Sequence, residues 1–243
     1  MLPPGQGRVV ASFRRAAYVE LAGSVLAVTA ADVPPGPLHL RLSALPRLQV
    51  GDPMVATAAH LTIGTHTVAR AELVGWRPPV VPGPALAARS GAGMDLLPEA
   101  GSSALAGDPA AAALPDALRR GDLSAAVAVL AGRGPGLTPA GDDVLAGLVL
   151  VLAIAGHDRA ELERAATAAR THAISRAFLL WAARGQSVAP VHHLLAALAD
   201  GDGVAVERHR SAVAALGQTS GADVLLGLRL GLGALAGPVA APT

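Results

Sequence analysis

The chain lacks several residue types, and each absence excludes a kind of chemistry. Its 243 residues contain no cysteine, which excludes disulfide bonds, thiolate catalysis and zinc or iron–sulfur sites held by cysteine. They also contain no lysine and no asparagine. The missing lysine excludes Schiff-base catalysis and the phosphate loop of Walker A proteins.

Charge and hydropathy exclude further partners. The 19 basic and 18 acidic residues leave a net charge of +1, and the basic residues are spread along the chain without forming a stripe. No nucleic-acid partner is therefore expected. The longest uncharged apolar run after Asp142 and Asp143 covers residues 144–156. This run is shorter than the roughly 17–25 residues of a membrane span. Polar residues such as Gln6, Arg8 and Arg14 interrupt the N-terminus, which predicts no signal peptide and a cytoplasmic protein.

The first third of the sequence has the pattern of β-strands. Residues 38–45 (LHLRLSAL) alternate apolar and polar side chains, which is the period of a half-buried strand. Further strand-like runs are residues 18–30, 56–69 and 71–76. We predict a mainly antiparallel β-sheet or a small barrel over residues 1–80.

The rest of the chain changes to a helical pattern. A connector rich in Pro, Gly and Ala, with room for short helices, is predicted at residues 81–115, and an all-helical domain at residues 116–243. The helical runs are residues 116–132, 138–156, 159–185, 189–201, 203–217 and 220–237. The expected fold class is α+β.

One motif in the helical half, GRGPGLTPAGDD at residues 132–143, suggests a binding site. Thr138 is a good N-cap and Pro139 suits the first helical position, so a helix is predicted to begin here. The residues that follow are apolar nearly all round, which predicts a buried central helix. The glycines at 132, 134 and 136 would let an anion approach the backbone N–H groups of the helix start.

Two adjacent carboxylates, Asp142 and Asp143, lie in the first turn of this helix. Neighbouring helical residues point about 100° apart, so the two side chains cannot share one role. One can bind a cation, orient a substrate amide or accept a proton, while the other caps N–H groups or pairs with an arginine such as Arg133. The plainer alternative is that both are solvated charges favoured by the helix dipole.

A second stretch repeats the motif. TSGADVLLGL at residues 219–228 parallels TPAGDDVLAGL at residues 138–148, and Asp223 aligns with Asp143. Two helix starts of this kind can face one cleft, which would bring Ser220 and Asp223 beside Thr138, Asp142 and Asp143. The alternative is that Ser220 is only an N-cap and Gly227 only a packing contact.

Other polar residues are weaker candidates. The helix histidines His172, His192 and His193 are expected to be structural, with Thr171 and Ser175 on the same long helix as His172. No protein metal site is predicted, although Mg²⁺ held by carboxylates remains open.

These residues resemble a bacterial family of unknown function typified by the AllH subunit of oxamate carbamoyltransferase. The resemblance is carried by the first motif, by THAISRAFLLWAARG followed by LLAAL, and by GQTSGADVLLGL, in that order. The strand-rich half, from LHLRLSAL to VGWRPP, is similar as well. Ala140 and Gln218 depart from the family pattern, which usually has Ser and often His there.

The resemblance implies a subunit that interconverts oxalurate and phosphate with oxamate and carbamoyl phosphate in allantoin-related nitrogen metabolism. It implies a small anionic metabolite as ligand and a hetero-oligomer with other carbamoyltransferase subunits. The predicted catalytic residues are Asp142, Asp143 and Asp223. The predicted residues for phosphate or substrate are Gly134, Gly136, Leu137, Thr138, Gly141, Ser220 and Gly221.

Two other functions are compatible with the sequence. The chain can be a non-catalytic subunit that binds an anionic metabolite or assembles a complex. It can also be a structural protein whose motif only packs helices.

Overall fold

The N-terminal part of the chain forms a β-sheet. The computed structural model describes residues 4–73, 75–99, 103–105, 107–112 and 114–236, and divides the chain into two units, Met1–Arg77 and Pro78–Thr243. The strands of the first unit are β1 (Gly5–Ser12), β2 (Ala16–Leu21), β3 (Ser24–Ala30), β4 (His39–Leu42), β5 (Pro53–Ala56), β6 (His60–Ile63) and β7 (His66–Ala69). A short 3-10 helix, Arg70–Glu72, follows β7.

The sheet is curled into a half-barrel. Its strand order is β4-β3-β2-β1-β5-β6-β7, and every neighbouring pair is antiparallel except β3 and β4. Side chains from alternate positions, among them Val19, Leu21, Val28 and Leu61, form a core of its own. The predicted, mainly antiparallel sheet is thus confirmed.

The strand-like run at residues 18–30 is a hairpin and not one strand. Ala22 and Gly23 have φ angles of 48° and 76°, and two consecutive residues with positive φ make the tight turn that suits twisted antiparallel strands. Leu21 and Ser24 consequently pair across the turn.

The second unit is helical. Its helices are α1 (Gly83–Ala88), α2 (Ser90–Asp95), α3 (Pro109–Ala112), α4 (Leu114–Arg119), α5 (Leu123–Leu130), α6 (Ala140–Ile154), α7 (Arg159–Ala168), α8 (Ala173–Ala183), α9 (Ala189–Asp200), α10 (Gly203–Ala214) and α11 (Ser220–Leu235). The predicted connector at 81–115 holds α1 to α3 and the start of α4, and its residues 100–102, 106 and 113 lie outside the described residues. A β-sheet followed by helices confirms the α+β class.

Two predicted helices are each divided in two. The run at 116–132 breaks because Gly121 adopts a φ of 74° and Asp122 caps α5 by accepting a hydrogen bond from the Ala125 N–H. The run at 159–185 breaks at residues 169–172 although no Gly or Pro lies there. The chain turns at that point because Thr171 is bound to a side chain of α6, as described below.

Helix α6 is the centre of this unit. Eleven of its 15 residues are buried, and it packs against α5, α8 and α11. This confirms the predicted buried central helix. Among the described helices, none has the length and apolar character that crossing a membrane requires.

Helices α6 and α11 lie in close contact and run parallel. A Cβ atom placed on Gly227 would lie 2.0 Å from the carbonyl oxygen of Val144, and one on Gly147 would lie 2.5 Å from that of Val224. One turn further, a Cβ on Gly231 would lie 2.7 Å from the Cβ of Val151. The pairs 147 with 227 and 151 with 231 have the same sequence offset as Asp143 with Asp223, so the two helix starts lie at the same end.

We predict that replacing Gly227 by alanine destabilises the protein. The new methyl group would overlap the backbone of α6, and overpacking of this kind costs about 1–3 kcal/mol or more. Urea denaturation followed by circular dichroism measures the loss. Gly91→Ala in α2 is the matched control, because nothing lies within 4 Å of its Cβ position. Alanine there should leave the free energy of unfolding unchanged or slightly raise it. Equal stability of the two variants would contradict the proposed contact.

Candidate functional site

Helix α6 begins one residue later than predicted. Pro139 has an extended backbone (φ −53°, ψ 144°), and its carbonyl accepts hydrogen bonds from the N–H groups of Asp142 and Asp143 at 2.9 and 3.2 Å. Pro139 is therefore the N-cap, and no side chain caps the helix. The prediction of Thr138 as N-cap and Pro139 as the first helical residue was wrong, because Pro139 already supplies the first carbonyl of the helix.

Helix α11 begins in the same way. The Thr219 carbonyl accepts from the N–H groups of Ala222 and Asp223 at 3.0 and 3.2 Å, and Thr219 is the N-cap. Ser220 is the first helical residue, so the alternative of Ser220 as an N-cap was wrong. The repeated sequence motif thus forms the same hydrogen-bond pattern at both helix starts, although the N-cap backbones differ: Thr219 has φ −130° and ψ −23°.

The two first-turn glycines are close-packing positions. The Gly141 N–H donates to the Arg133 carbonyl at 2.9 Å, and the Gly221 N–H donates to the Leu216 carbonyl at 3.0 Å. A Cβ atom on Gly141 would lie 2.0 Å from the Leu130 carbonyl oxygen. These two N–H groups are therefore occupied within the chain.

Asp142 ties three segments together. It is only 2% exposed, and one carboxylate oxygen accepts the Gly132 N–H at 2.8 Å while the other accepts the Thr171 hydroxyl. The turn after α5, the start of α6 and the loop between α7 and α8 meet at this carboxylate. Thr171 was predicted on a long helix, and the sequence carries no local signal for its contact with Asp142.

Arg133 pairs with a different acid from those considered. Its Nη1 lies 3.1 Å from Oδ2 of Asp108. The hypothesis that Arg133 neutralises Asp142 or Asp143 was therefore wrong. In the described part of the chain, no ion pair involves Asp142, Asp143 or Asp223.

Asp143 points to α11. Ser220 donates a side-chain hydrogen bond to its carboxylate, while Oδ2 is buried and has no hydrogen-bond partner among the described residues. The pKa of Asp143 is raised to about 7, mainly by burial; the Ser220 hydrogen bond opposes the rise, and the charges of Asp223 and Asp142 add to it. An aspartate that would ordinarily be ionised is thus poised to gain or lose a proton near neutral pH.

Asp223 is the counterpart of Asp143 on α11. It is fully buried, and its Oδ1 accepts the Ser103 hydroxyl at 2.5 Å and the Ala104 N–H at 2.9 Å. Its Oδ2 is buried and finds no partner within the described ranges. Ser103 and Ala104 were placed in the predicted connector, so sequence reasoning missed their contact with this carboxylate.

The structure therefore brings Asp143, Asp223 and Ser220 together. Each carboxylate is held through one oxygen, and each has a second, buried oxygen available. Such oxygens can accept N–H donors, hold a proton or bind a cation. Among the described residues, no group of three or more His, Asp or Glu side chains is arranged to hold a metal ion.

The glycine-rich turn before α6 is exposed at Gly134, Gly136 and Leu137, while Thr138 is half-buried. The φ angles of Gly134 and Gly136 are 111° and 94°. The Leu137 carbonyl accepts the Ser175 hydroxyl at 3.0 Å, which fixes the turn to α8. Within the described residues, none of the N–H groups of these four residues donates a hydrogen bond.

A cavity of about 390 Å³ lies further along the same helices. Its walls include Val144 of α6 and Leu226 of α11, and its charged members are Glu99, Asp108 and Arg229. It is mainly apolar, and none of the predicted site residues lines it.

Comparison with known proteins finds one similarity, in the helical half. Residues 130–232 match the model of the family described as oxamate carbamoyltransferase subunit AllH. The match covers less than half of the chain, but it contains the glycine-rich turn and both helix starts. It confirms the resemblance stated on the sequence motifs. No solved structure matches the chain.

We predict that Asp143→Asn becomes more stable relative to the wild type as pH rises. The folded protein keeps the Asp143 proton up to about pH 7, whereas the unfolded chain releases it near pH 3.8. Wild-type stability therefore falls through this window, and the variant escapes the loss. The gain reaches at most about 4 kcal/mol above neutral pH.

Urea denaturation at several pH values measures this difference. Asp200→Asn is the control, since Asp200 is exposed at the end of α9. Its stability relative to the wild type should not depend on pH in this window. A constant difference for Asp143→Asn would contradict the prediction.

Proposed function

We propose that this chain, whose residues 130–232 match the AllH family model, is a subunit of an oxamate carbamoyltransferase-like enzyme. The reaction joins carbamoyl phosphate and oxamate to give oxalurate and phosphate, or runs in reverse. The observation that carries the proposal is the pair Asp143 and Asp223 at the starts of α6 and α11, each with a buried oxygen that has no hydrogen-bond partner in the described part of the chain. Other subunits of the assembly are the expected partners.

The glycine-rich turn is the proposed phosphate site. Gly134, Gly136, Leu137 and Thr138 offer backbone N–H groups that no other described residue uses. The positive end of the α6 dipole favours an anion at the same place. Gly141 and Gly221 contribute by allowing close packing, because their own N–H groups are already bonded.

The two carboxylates are proposed to receive the nitrogen end of the substrates. Oxamate and the carbamoyl group both carry N–H donors, and an ionised carboxylate is purely an acceptor. The anionic ends of the same molecules are repelled by Asp143 and Asp223 and attracted to the turn. Ser220 orients Asp143, and Asp142 acts by holding the turn in place through Gly132.

We predict that Asp143→Asn and Asp223→Asn each lower kcat/KM for carbamoyl transfer by about 100-fold or more. Asparagine keeps the shape but loses the negative charge that receives the N–H group. The assay uses the variant chain reconstituted with its partner subunits and follows phosphate release from carbamoyl phosphate.

Asp200→Asn, at an exposed position outside the site, should match the wild type in the same assay. Unchanged transfer by both site variants would overturn the proposal. A second candidate function is favoured if carbamoyl transfer is unchanged in Asp143→Asn and Asp223→Asn while the isolated chain binds phosphate or oxamate in calorimetry. That candidate is a non-catalytic anion-binding subunit, and the exposed turn supports it.

We predict that Gly136→Ala raises KM for carbamoyl phosphate by roughly tenfold. Gly136 has a φ of 94°, and a residue with a side chain adopts such a conformation at a cost of about 1–2 kcal/mol. A loss of that size in binding free energy lowers the affinity for phosphate about tenfold. Gly156→Ala is the matched control because Gly156 has the same φ of 94° and open space but lies at the far end of α6. Equal KM values for the two variants would contradict phosphate binding at the turn.

A further inference from the structure

We propose that Asp143 and Asp223 share one proton and act as a single acid–base pair for the nitrogen substrate. The identity of that substrate rests on the proposed function, whereas the shared proton rests on the geometry of the two carboxylates.

The two carboxylates lack a hydrogen-bond partner at the same atom. Asp143 is held by Ser220, and Asp223 by Ser103 and Ala104, and in each case the remaining oxygen, Oδ2, is buried without a partner among the described residues. A buried acceptor without a partner is unfavourable. A proton on one carboxylate that is donated to the other supplies both missing hydrogen bonds, and it requires no additional space.

The surrounding charges favour one shared proton. Burial is the main cause that raises the pKa of Asp143 to about 7, the Ser220 hydrogen bond opposes the rise, and the charges of Asp223 on α11 and Asp142 on α6 add to it. Two carboxylates that face each other in a buried site cannot both ionise without strong repulsion. Removing one of the two negative charges relieves this repulsion.

Six arginines on the neighbouring described segments have partners other than Asp143 and Asp223. Arg133, after α5, pairs with Asp108. Arg176 of α8 donates to the carbonyls of Ala169 and Thr171. On α7 and α8, Glu163 binds Arg159 and Arg184. On α10, Glu207 binds Arg210. On α11, Arg229 donates to the carbonyls of Met94 and Leu97 and lies 3.7 Å from Glu99.

A pair with one proton can both give and accept one in the same reaction. The amide nitrogen of oxamate forms a bond to the carbamoyl carbon while the bond from that carbon to the phosphate oxygen breaks. The phosphate leaves with the electron pair and takes the proton of the carboxylate pair. The proton lost by the nitrogen then replaces it, so the pair ends as it began.

The test follows the carboxyl carbons of the isolated full chain, labelled with ¹³C at the aspartate side chains, by NMR between pH 4 and pH 9. The carboxyl carbon of Asp143 should change shift near neutral pH. In Asp223→Asn, the titration of Asp143 should move down by about one pH unit or more, because coupled groups titrate as a pair and its acidic neighbour is gone.

Two further variants keep the test decisive. Ser220→Ala should move the shared step to higher pH, because the Ser220 hydrogen bond lowers the pKa of Asp143. Asp200→Asn should leave the step unchanged. The proposal is overturned if Asp143 titrates near neutral pH unaltered in Asp223→Asn, since burial alone would then explain it. It is also overturned if Mg²⁺ at millimolar concentration abolishes the step, since the two oxygens would then hold a metal ion.

This measurement needs neither substrate nor partner subunits. A coupled titration in a chain that supports no carbamoyl transfer would keep the proton pair and reject the proposed function. If carbamoyl transfer depends on both carboxylates but no coupled titration is found, the proposed function is kept and the shared proton is rejected.

Discussion

The contact between the glycine faces of α6 and α11 determines the rest of the helical unit. Gly147 and Gly227 each meet the backbone of the opposite helix at distances that leave no room for a side chain. This contact fixes the two helices parallel and in register. Because each helix carries an aspartate one turn before its glycine, the same contact sets Asp143 opposite Asp223.

The parallel arrangement creates an electrostatic conflict at the shared helix end. The positive ends of two helix dipoles lie side by side, and both favour carboxylates in the first turn. Burial and the nearness of the two carboxylates favour the neutral form instead. The conflict is resolved in favour of burial at Asp143, whose pKa is raised to about 7, since the first-turn N–H groups donate to Arg133 and Pro139 rather than to the aspartates.

Asp142 and Asp143 show how adjacent residues acquire different roles. Their side chains point about 100° apart around α6. Asp142 faces the turn and the α7–α8 loop, where both of its oxygens are bonded, and Asp143 faces α11, where one oxygen has no partner among the described residues. The first carboxylate therefore supports the geometry of the turn, and the second is the one proposed to act on substrate.

The sequence predicts those features that depend on local pattern and on repetition. The alternation at residues 38–45 and the apolar run of α6 identify a strand and a buried helix, and the repeated motif aligns Asp143 with Asp223. It does not predict contacts made between distant segments. The break at Thr171 has no Gly or Pro to mark it, and the hydrogen bond between Thr171 and Asp142 found there joins residues 29 apart in the sequence.

The hydrogen bond from Ser103 to Asp223 joins residues 120 positions apart, and no local sequence pattern predicts such a contact. The helix start at Pro139 differs from the prediction by one residue for a similar reason. Thr138 has the side chain of an N-cap, but the turn is also held through the Leu137 carbonyl by Ser175 of α8. The N-cap propensity of Thr138 is therefore weaker than the tertiary hydrogen bond that holds the turn.

The resulting site has two chemically different ends. In the proposed function, the exposed turn, whose N–H groups no described residue accepts, attracts negative charge, and the carboxylates of Asp143 and Asp223 attract N–H donors or a proton. A small molecule with an anionic group and an amide nitrogen would bind in only one orientation between them. Oxamate and carbamoyl phosphate are both molecules of this kind, which links the repeated helix start to the chemistry proposed for the family.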